Sequence, residues 1–277
     1  MLFIKRTSFI IGFLAITTMI ACNHFPYSKT NRVYKKNTKD LVTILKENPS
    51  IQTINQLPKA ENWVGTTNFD LRKPNFVVIH HTAQNSCEQT LKTFTLERSK
   101  VSAHYVICKD GTIHHMLNDY MRAWHGGISK WGNNSDLNSS SIGIELDNNG
   151  FEPFDSAQIN SLLLLLAQLK ENYKIPDANF IGHADIAPKR KVDPNIQFPW
   201  VLLAQKGYGV WYEPNEQFTL PASISIPFAL AMVGYDIKDT TAALLAFKRH
   251  FRTDSTAMIT ENDRSVLYQL IQNKLSH

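Results

Sequence analysis

The chain has 277 residues, 43% of them hydrophobic and 19% charged, and carries a net charge of +5. That is the composition of a folded, core-forming protein with room for one domain of ordinary size and a small second one. It excludes no enzyme class, and the positive charge admits any anionic partner, nucleic acid included, until the N-terminus is read.

Lys5 and Arg6 precede an almost uncharged apolar run, Ser8 to Ala21. It is too short for a comfortable transmembrane helix and has the length of a signal-peptide core. It ends at Met19-Ile20-Ala21-Cys22, which resembles a bacterial lipobox. Residues 1–22 are therefore expected to be a lipoprotein signal peptide, ahead of a plain secretory peptide or an uncleaved anchor, with Cys22 as the lipidated residue. At about 0.8 kcal/mol per buried methylene, several acyl chains anchor a protein firmly. Asn23 is not the Asp linked with inner-membrane retention, so the analogy favours the periplasmic face of the outer membrane. An exported protein does not meet nucleic acid; an anionic cell-wall polymer is the more natural partner.

Residues 23–57 are polar, with a basic stretch at Lys35-Lys36-Asn37-Thr38-Lys39. They read as a tether with a short helix at Asp40 to Glu47; the lysines are solvated, and attraction to a lipid surface is the lesser alternative.

A mixed α/β domain is expected over 58–213. Phe76 to His80 is a short, β-branched apolar run and so a buried strand. Ser86-Cys87-Glu88-Gln89 looks like a capping box opening a helix with Leu91, Phe94 and Leu96 inward. Asp110-Gly111, between the runs 103–108 and 112–117, is a hairpin signal, because Gly accepts the positive φ the turn needs. Ser141 to Leu146 is another strand. Asp155-Ser156-Ala157-Gln158 caps a long helix with Ile159, Leu162, Leu163, Leu166 and Leu169 as its core stripe. Asn179 to Gly182 is a last short strand delivering His183. After Pro214 the pattern turns helical: Thr240 to Phe251 and Asn262 to Leu275 each carry an apolar stripe, so 214–277 is a module of about three helices. Cys87 and Cys108 could pair in an oxidising compartment, and sequence alone leaves that open.

Catalytic zinc takes three protein ligands and leaves one position open. His80, at a strand end, and His183 with Asp193, joined by a loop containing Pro188 and Pro194, form such a set. A lone buried His is usually a hydrogen-bonded core residue, but two of them with an Asp in constrained settings outweigh that reading. Lys191 lies two residues before the Asp. Glu145 is a carboxylate on an otherwise apolar strand; periodicity alone allows a solvated residue, and a metal neighbour favours a general base. Trp124-His125-Gly126-Gly127 is a glycine-permitted turn of a kind that contacts sugars or peptides, or serves only as a turn. His104, His114, His115 and His250 are read as structural or surface residues, and His81 as facing either side of its strand.

Val78-Ile79-His80-His81-Thr82-Ala83, Ser102-Ala103-His104-Tyr105, Trp124-His125-Gly126-Gly127, Ser141-Ile142-Gly143-Ile144-Glu145 and the 183–194 segment occur in one order. Together they resemble the zinc-dependent N-acetylmuramoyl-L-alanine amidases related to peptidoglycan-recognition proteins, over roughly residues 58 to 213; the lipobox and helical tail are similar to the AmiD-like lipoprotein branch. The resemblance implies a mixed central β-sheet flanked by helices with a zinc cleft, and cleavage of the amide between N-acetylmuramic acid and L-alanine in peptidoglycan or muropeptides. It implies Zn²⁺ on His80, His183 and Asp193, with Glu145 as general base toward zinc-bound water and Lys191 stabilising the oxyanion. Trp124 and His125 are expected to bind substrate, the helical tail is similar to peptidoglycan-binding domains, and the protein is expected to be a monomer held to the membrane by its lipid. His81 departs from the Tyr or Asn of many relatives. The competing readings are a non-catalytic binder of cell-wall fragments and a zinc hydrolase of another amide.

Overall fold

In the computed structural model, which describes residues 26–46, 66, 68, 70–216 and 218–275, the chain divides into two units on either side of residue 67. The expected signal peptide, with Cys22, lies outside the described residues. In the first unit the expected short helix is longer than the sequence suggested: one helix, α1, spans Ser28–Lys46, beginning well before the expected Asp40. The segment contains neither Gly nor Pro and is rich in Lys and Leu, which are good helix formers. Reading its lysines only as solvated charge hid that propensity. Lys36 and Asp40 pair one turn apart, at 2.6 Å.

The second unit is built on five strands: β1 Phe76–His81, β2 Tyr105–Ile107, β3 Ile113–His115, β4 Ser141–Leu146 and β5 Phe180–Gly182. Their order is β3-β2-β4-β1-β5, parallel except for the β2–β3 hairpin, in which Ile107 opposes Ile113 across Gly111. Gly111 has φ +88°, the backbone freedom that the hairpin expectation required. Helices α2 Cys87–Phe94, α3 Leu137–Ser140, α4 Ser156–Tyr173, α5 His183–Ile186 and α6 Trp200–Gln205 flank the sheet.

Strand alternation sorts the side chains. Val77 and Ile79 of β1 and Ile142, Ile144 and Leu146 of β4 pack with the leucines of α4 in the main core. Each such side chain contributes about 1.5–3 kcal/mol when fully buried. Alternation therefore turns His80, Gly143 and Glu145 to the opposite face, where a smaller cluster of Val78, Leu137, Ile181, Ile186 and Ala187 sits. On α4 Ile159, Leu162, Leu166 and Leu169 are buried as expected, and Leu165 joins them, whereas Leu163 is only partly buried. Asp155 occupies the N-cap position without a side-chain cap bond; Gln158 instead turns inward, its Nε2 donating to the Ile107 and Asp147 carbonyls at 2.8 and 3.1 Å. Ser86 does cap α2, accepting from Gln89 N. Cys87 and Cys108 form a disulfide with α-carbons 5.3 Å apart, tying the start of α2 to the end of β2.

Beyond Pro214, α7 Ile226–Val233, α8 Thr240–Phe251 and α9 Glu261–Leu275 enclose a second core around Leu230, Phe247, Phe251, Val266 and Leu270. Ser225 and Asp239 cap α7 and α8, each accepting a backbone N–H. Trp131 packs against both this core and the small cluster; its ring lies where a side chain at Gly234 would stand.

Candidate metal centre and active-site cleft

His80 and Glu145 are register partners on the β1–β4 ladder, which sets them side by side on the face away from α4. β5 ends at Gly182, where the chain turns into α5 and brings His183 beside His80. Asp193 closes the group, its carbonyl accepting from Ala184 N at 2.7 Å. His80 Nδ1 lies 2.8 Å from His183 Nδ1 and 3.1 Å from Asp193 Oδ2, and His183 Nδ1 lies 2.9 Å from the same oxygen. All three residues are buried.

The outer hydrogen bonds decide which nitrogens carry protons. Leu137 O can only accept, so the Ser141 hydroxyl donates to it. Ser141 Oγ then accepts from His125 Nε2–H at 3.2 Å. That leaves a lone pair on His125 Nδ1, which accepts from His80 Nε2–H at 3.0 Å. His183 Nε2–H donates to Gly126 O at 3.2 Å. Both Nδ1 atoms are therefore bare acceptors, pointed at one another and at a carboxylate oxygen. Burial, reinforced by the neighbouring His183, lowers His80 to about 4, and burial holds His125 well below its usual value, so both rings are neutral at pH 7. Three buried acceptors converging on one point are stable only around a cation, and two imidazoles with a carboxylate suit Zn²⁺.

The cleft beside this group has a volume of about 350 Å³ and is bordered by His81, Trp124, Glu145 and Lys191. Two carboxylates, Asp193 and Glu145, lie within it. Glu145 is raised to about 8 by burial and by the Asp193 charge, against the opposing pull of Lys191. Its Oε1 lies 3.9 Å from His80 Nδ1, and its Oε2 has no hydrogen-bond partner among the described residues. A carboxyl poised near neutrality beside an ionised one is the arrangement from which acid and base roles are made.

Trp124 presents half of its surface at the cleft, as a substrate wall requires. His125, from the same motif, is buried, and its ring contacts His80. Gly143 makes room for it, since a side chain there would overlap the His125 ring. His81 remains on the strand, buried, with Nδ1 unpartnered among the described residues. His104, read as structural, is buried: its Nδ1 accepts from Gly143 N at 3.0 Å and its Nε2 donates to Met121 O at 3.0 Å.

Several supporting residues escaped the sequence reading. Asn138 Oδ1 accepts from the backbone N–H groups of both His125 and Gly126, holding the turn. Arg190 spans from the 183–193 loop to the Gly126 and Ile128 carbonyls. Asp185, two residues past His183, accepts from Gly182 N at 2.7 Å, from Tyr235 Oη at 2.9 Å and from His250 Nδ1 at 2.8 Å. His250 stacks on Trp200 with ring centres 3.8 Å apart. The α7–α9 module thus braces the segment that carries two of the three candidate metal-site residues. A buried carboxylate inside the 183–194 motif was the available signal; nothing local marks His250 or Tyr235 as its partners.

Comparison with known proteins places this geometry. The family model described as N-acetylmuramoyl-L-alanine amidase matches residues 70–196. The N-acetylmuramoyl-L-alanine amidase AmiD of Escherichia coli K12 is 36% identical over 207 residues, which cover 64% of this chain and 74% of that protein. The solved complex of E. coli AmiD with anhydro-N-acetylmuramic acid-L-Ala-D-γ-Glu-L-Lys superposes with a TM-score of 0.67 at 30% identity, covering 78% of this chain and 97% of AmiD. AmpDh3 from Pseudomonas aeruginosa, solved with anhydromuramic pentapeptide, gives a TM-score of 0.66 at 27% identity, covering 81% of this chain and 99% of that one.

Proposed function

The chain belongs to the N-acetylmuramoyl-L-alanine amidase family, and on that premise we propose that it uses Zn²⁺ to hydrolyse the amide between N-acetylmuramic acid and L-alanine in peptidoglycan or its muropeptides. The observation that carries this reading is the convergence of His80 Nδ1, His183 Nδ1 and Asp193 Oδ2 beside a carboxyl raised to about 8. When bound, zinc supplies a Lewis acid and a water of lowered pKa.

The chain's own groups do the rest. Glu145, close to neutrality in its pKa, takes a proton from the attacking water and returns it to the leaving amine of L-alanine. Lys191 offers its ammonium to the oxyanion on the former carbonyl oxygen. Trp124 gives the substrate an apolar wall. His125 acts through His80, fixing its tautomer by the bond to Nε2, so its part is positioning.

Mass spectrometry of purified muropeptides incubated with the protein tests this reading. Free stem peptide and lactyl-bearing sugar should appear, vanish on chelation and return with zinc. Unchanged muropeptides that still bind would make the chain a recognition protein, and cuts within the peptide would make it a zinc peptidase.

The envelope setting belongs to the same proposal. Cys22 carries lipid, the periplasmic face of the outer membrane is the location, the protein is a monomer, and residues 214–277 form a domain that contacts peptidoglycan as well as bracing the site. Fatty-acid labelling that disappears in Cys22→Ser tests the anchor, and sacculus pull-down with surface variants of α7–α9 tests the domain.

A further inference from the structure

Helix α1 has two chemically distinct halves. At 100° per residue, Val33, Tyr34, Leu41, Val42, Ile44 and Leu45 fall within one half of its circumference. Lys29, Arg32, Lys35, Lys36, Lys39 and Lys46 fall in the other, with Asp40 the one acidic residue of the helix. Not one of its residues is buried; Leu45 is 72% exposed, Ile44 61% and Val33 56%. A spacer in water would have no need of an apolar stripe.

We propose that α1 is a membrane-surface helix, lying flat on a bilayer that displays anionic headgroups, with its apolar half in the acyl boundary and its cations among the phosphates. Charge complementarity selects this occupant: an apolar stripe alone would suit another protein, whereas a stripe flanked on both edges by cations suits an anionic lipid surface. The lysine stems reach outward past the apolar edge, which lets the ammonium groups stay at headgroup level. Among the described residues no helix is long and apolar enough to cross a membrane, so α1 lies on the surface. Its first residue is six positions after Cys22, a reach of at most about 20 Å, so a lipid there and the helix would engage one bilayer. Two weak attachments then act together where a single one is readily reversible. The proposal does not depend on the amidase reading, since it uses no residue of the cleft.

The test places an environment-sensitive nitrobenzoxadiazole dye on the full chain, in a Cys22→Ser background. In one protein it is attached at Leu45→Cys, on the apolar half, and in another at Lys39→Cys, on the basic half. Vesicles of phosphatidylglycerol and phosphatidylethanolamine should blue-shift the dye at position 45 and shield it from iodide, and should leave the dye at 39 in water. Pure phosphatidylcholine should do neither. Replacing Lys35, Lys36 and Lys39 with Glu in the position-45 protein, which preserves helix propensity, should weaken the transfer about tenfold or more. The readout is local, so a chain retained on the vesicle by its leader alone does not register. Equal shifts at both positions, or none at either, overturn the proposal. A shift at 45 without vesicles that grows with protein concentration would show a second copy covering the face, and one that isolated sacculi reproduce would show the wall polymer as the ligand; either overturns it.

Discussion

His80 and Glu145 stand on neighbouring strands, paired across the β1–β4 ladder, whereas His183 and Asp193 stand ten residues apart on a segment that opens with α5 and is held by Tyr235, just past α7, and His250 of α8. The first half of the centre is positioned by backbone hydrogen bonds inside a packed sheet. The second half depends on a buried carboxylate, Asp185, and on whether a distant Tyr and His keep it satisfied. Cross-strand geometry is inherited from the core and resists change; a loop held by a few polar contacts does not. The helical module is therefore a structural component of the cleft, whatever else it binds.

Removing a member of either half outright should have the largest effect and should not distinguish them. His183→Ala is expected to purify with almost no zinc by elemental analysis, and His80→Ala likewise, because neither leaves three ligands. Glu145→Gln should separate chemistry from binding: zinc stays, and turnover falls by about 10²–10⁴. Lys191→Ala should lose about 10²–10³ in turnover with zinc retained. Wild-type-like rates in either variant would remove that residue from the mechanism.

Acid should act on the sheet half. His80 and His104 accept protons at about 4 in the folded protein because burial disfavours their charged forms, against 6.5 in the unfolded chain. Between those values the unfolded state binds more protons, so the metal-free protein loses stability as pH falls from 6.5 toward 4, with His104 contributing on the order of 3 kcal/mol. Glu145 runs the other way: raised to about 8 from 4.5, it removes stability as pH rises through that interval, and Glu145→Gln should abolish that loss. Denaturant midpoints of the chelated Glu145→Gln protein at pH 7 and 5 isolate the histidine effect, and the difference from wild type gives the opposing effect of Glu145; a flat profile in Glu145→Gln would contradict the burial of these histidines.

The brace is the sharpest test of the comparison and has the smallest expected effect. Tyr235→Phe and His250→Gln should weaken zinc affinity by about 10–100-fold while the sheet core unfolds at an unchanged denaturant concentration. If competition titration with a chelator shows wild-type affinity in both, the loop half stands without the helical module and the distinction between the halves disappears.

The strands, the hairpin at Asp110-Gly111, the capped helix at Ser86 and the helices of the tail were legible because each is written in residues a few positions apart. The five residues expected at the centre, His80, His183, Asp193, Glu145 and Lys191, border one cleft. The full extent of α1 was missed because its charge drew more weight than its helix propensity. The role of Ser141, between the Leu137 carbonyl and His125, was missed because a serine opening a strand carries no local mark of a hydrogen-bond chain behind a metal site.

Local patterning determined the elements, the face on which each apolar residue lies, and the inventory of groups able to carry chemistry, because propensity, capping and period act over one or two turns of chain. Only the tertiary structure decided that the Cys87 and Cys108 sulfurs meet, that the ring of His125 turns inward to His80 while Trp124 faces the cleft, and that His250, 65 residues from Asp185, completes its hydrogen bonds. Those pairings follow from packing between elements far apart in the chain, where the need to satisfy each buried polar group selects a partner that no local spacing encodes.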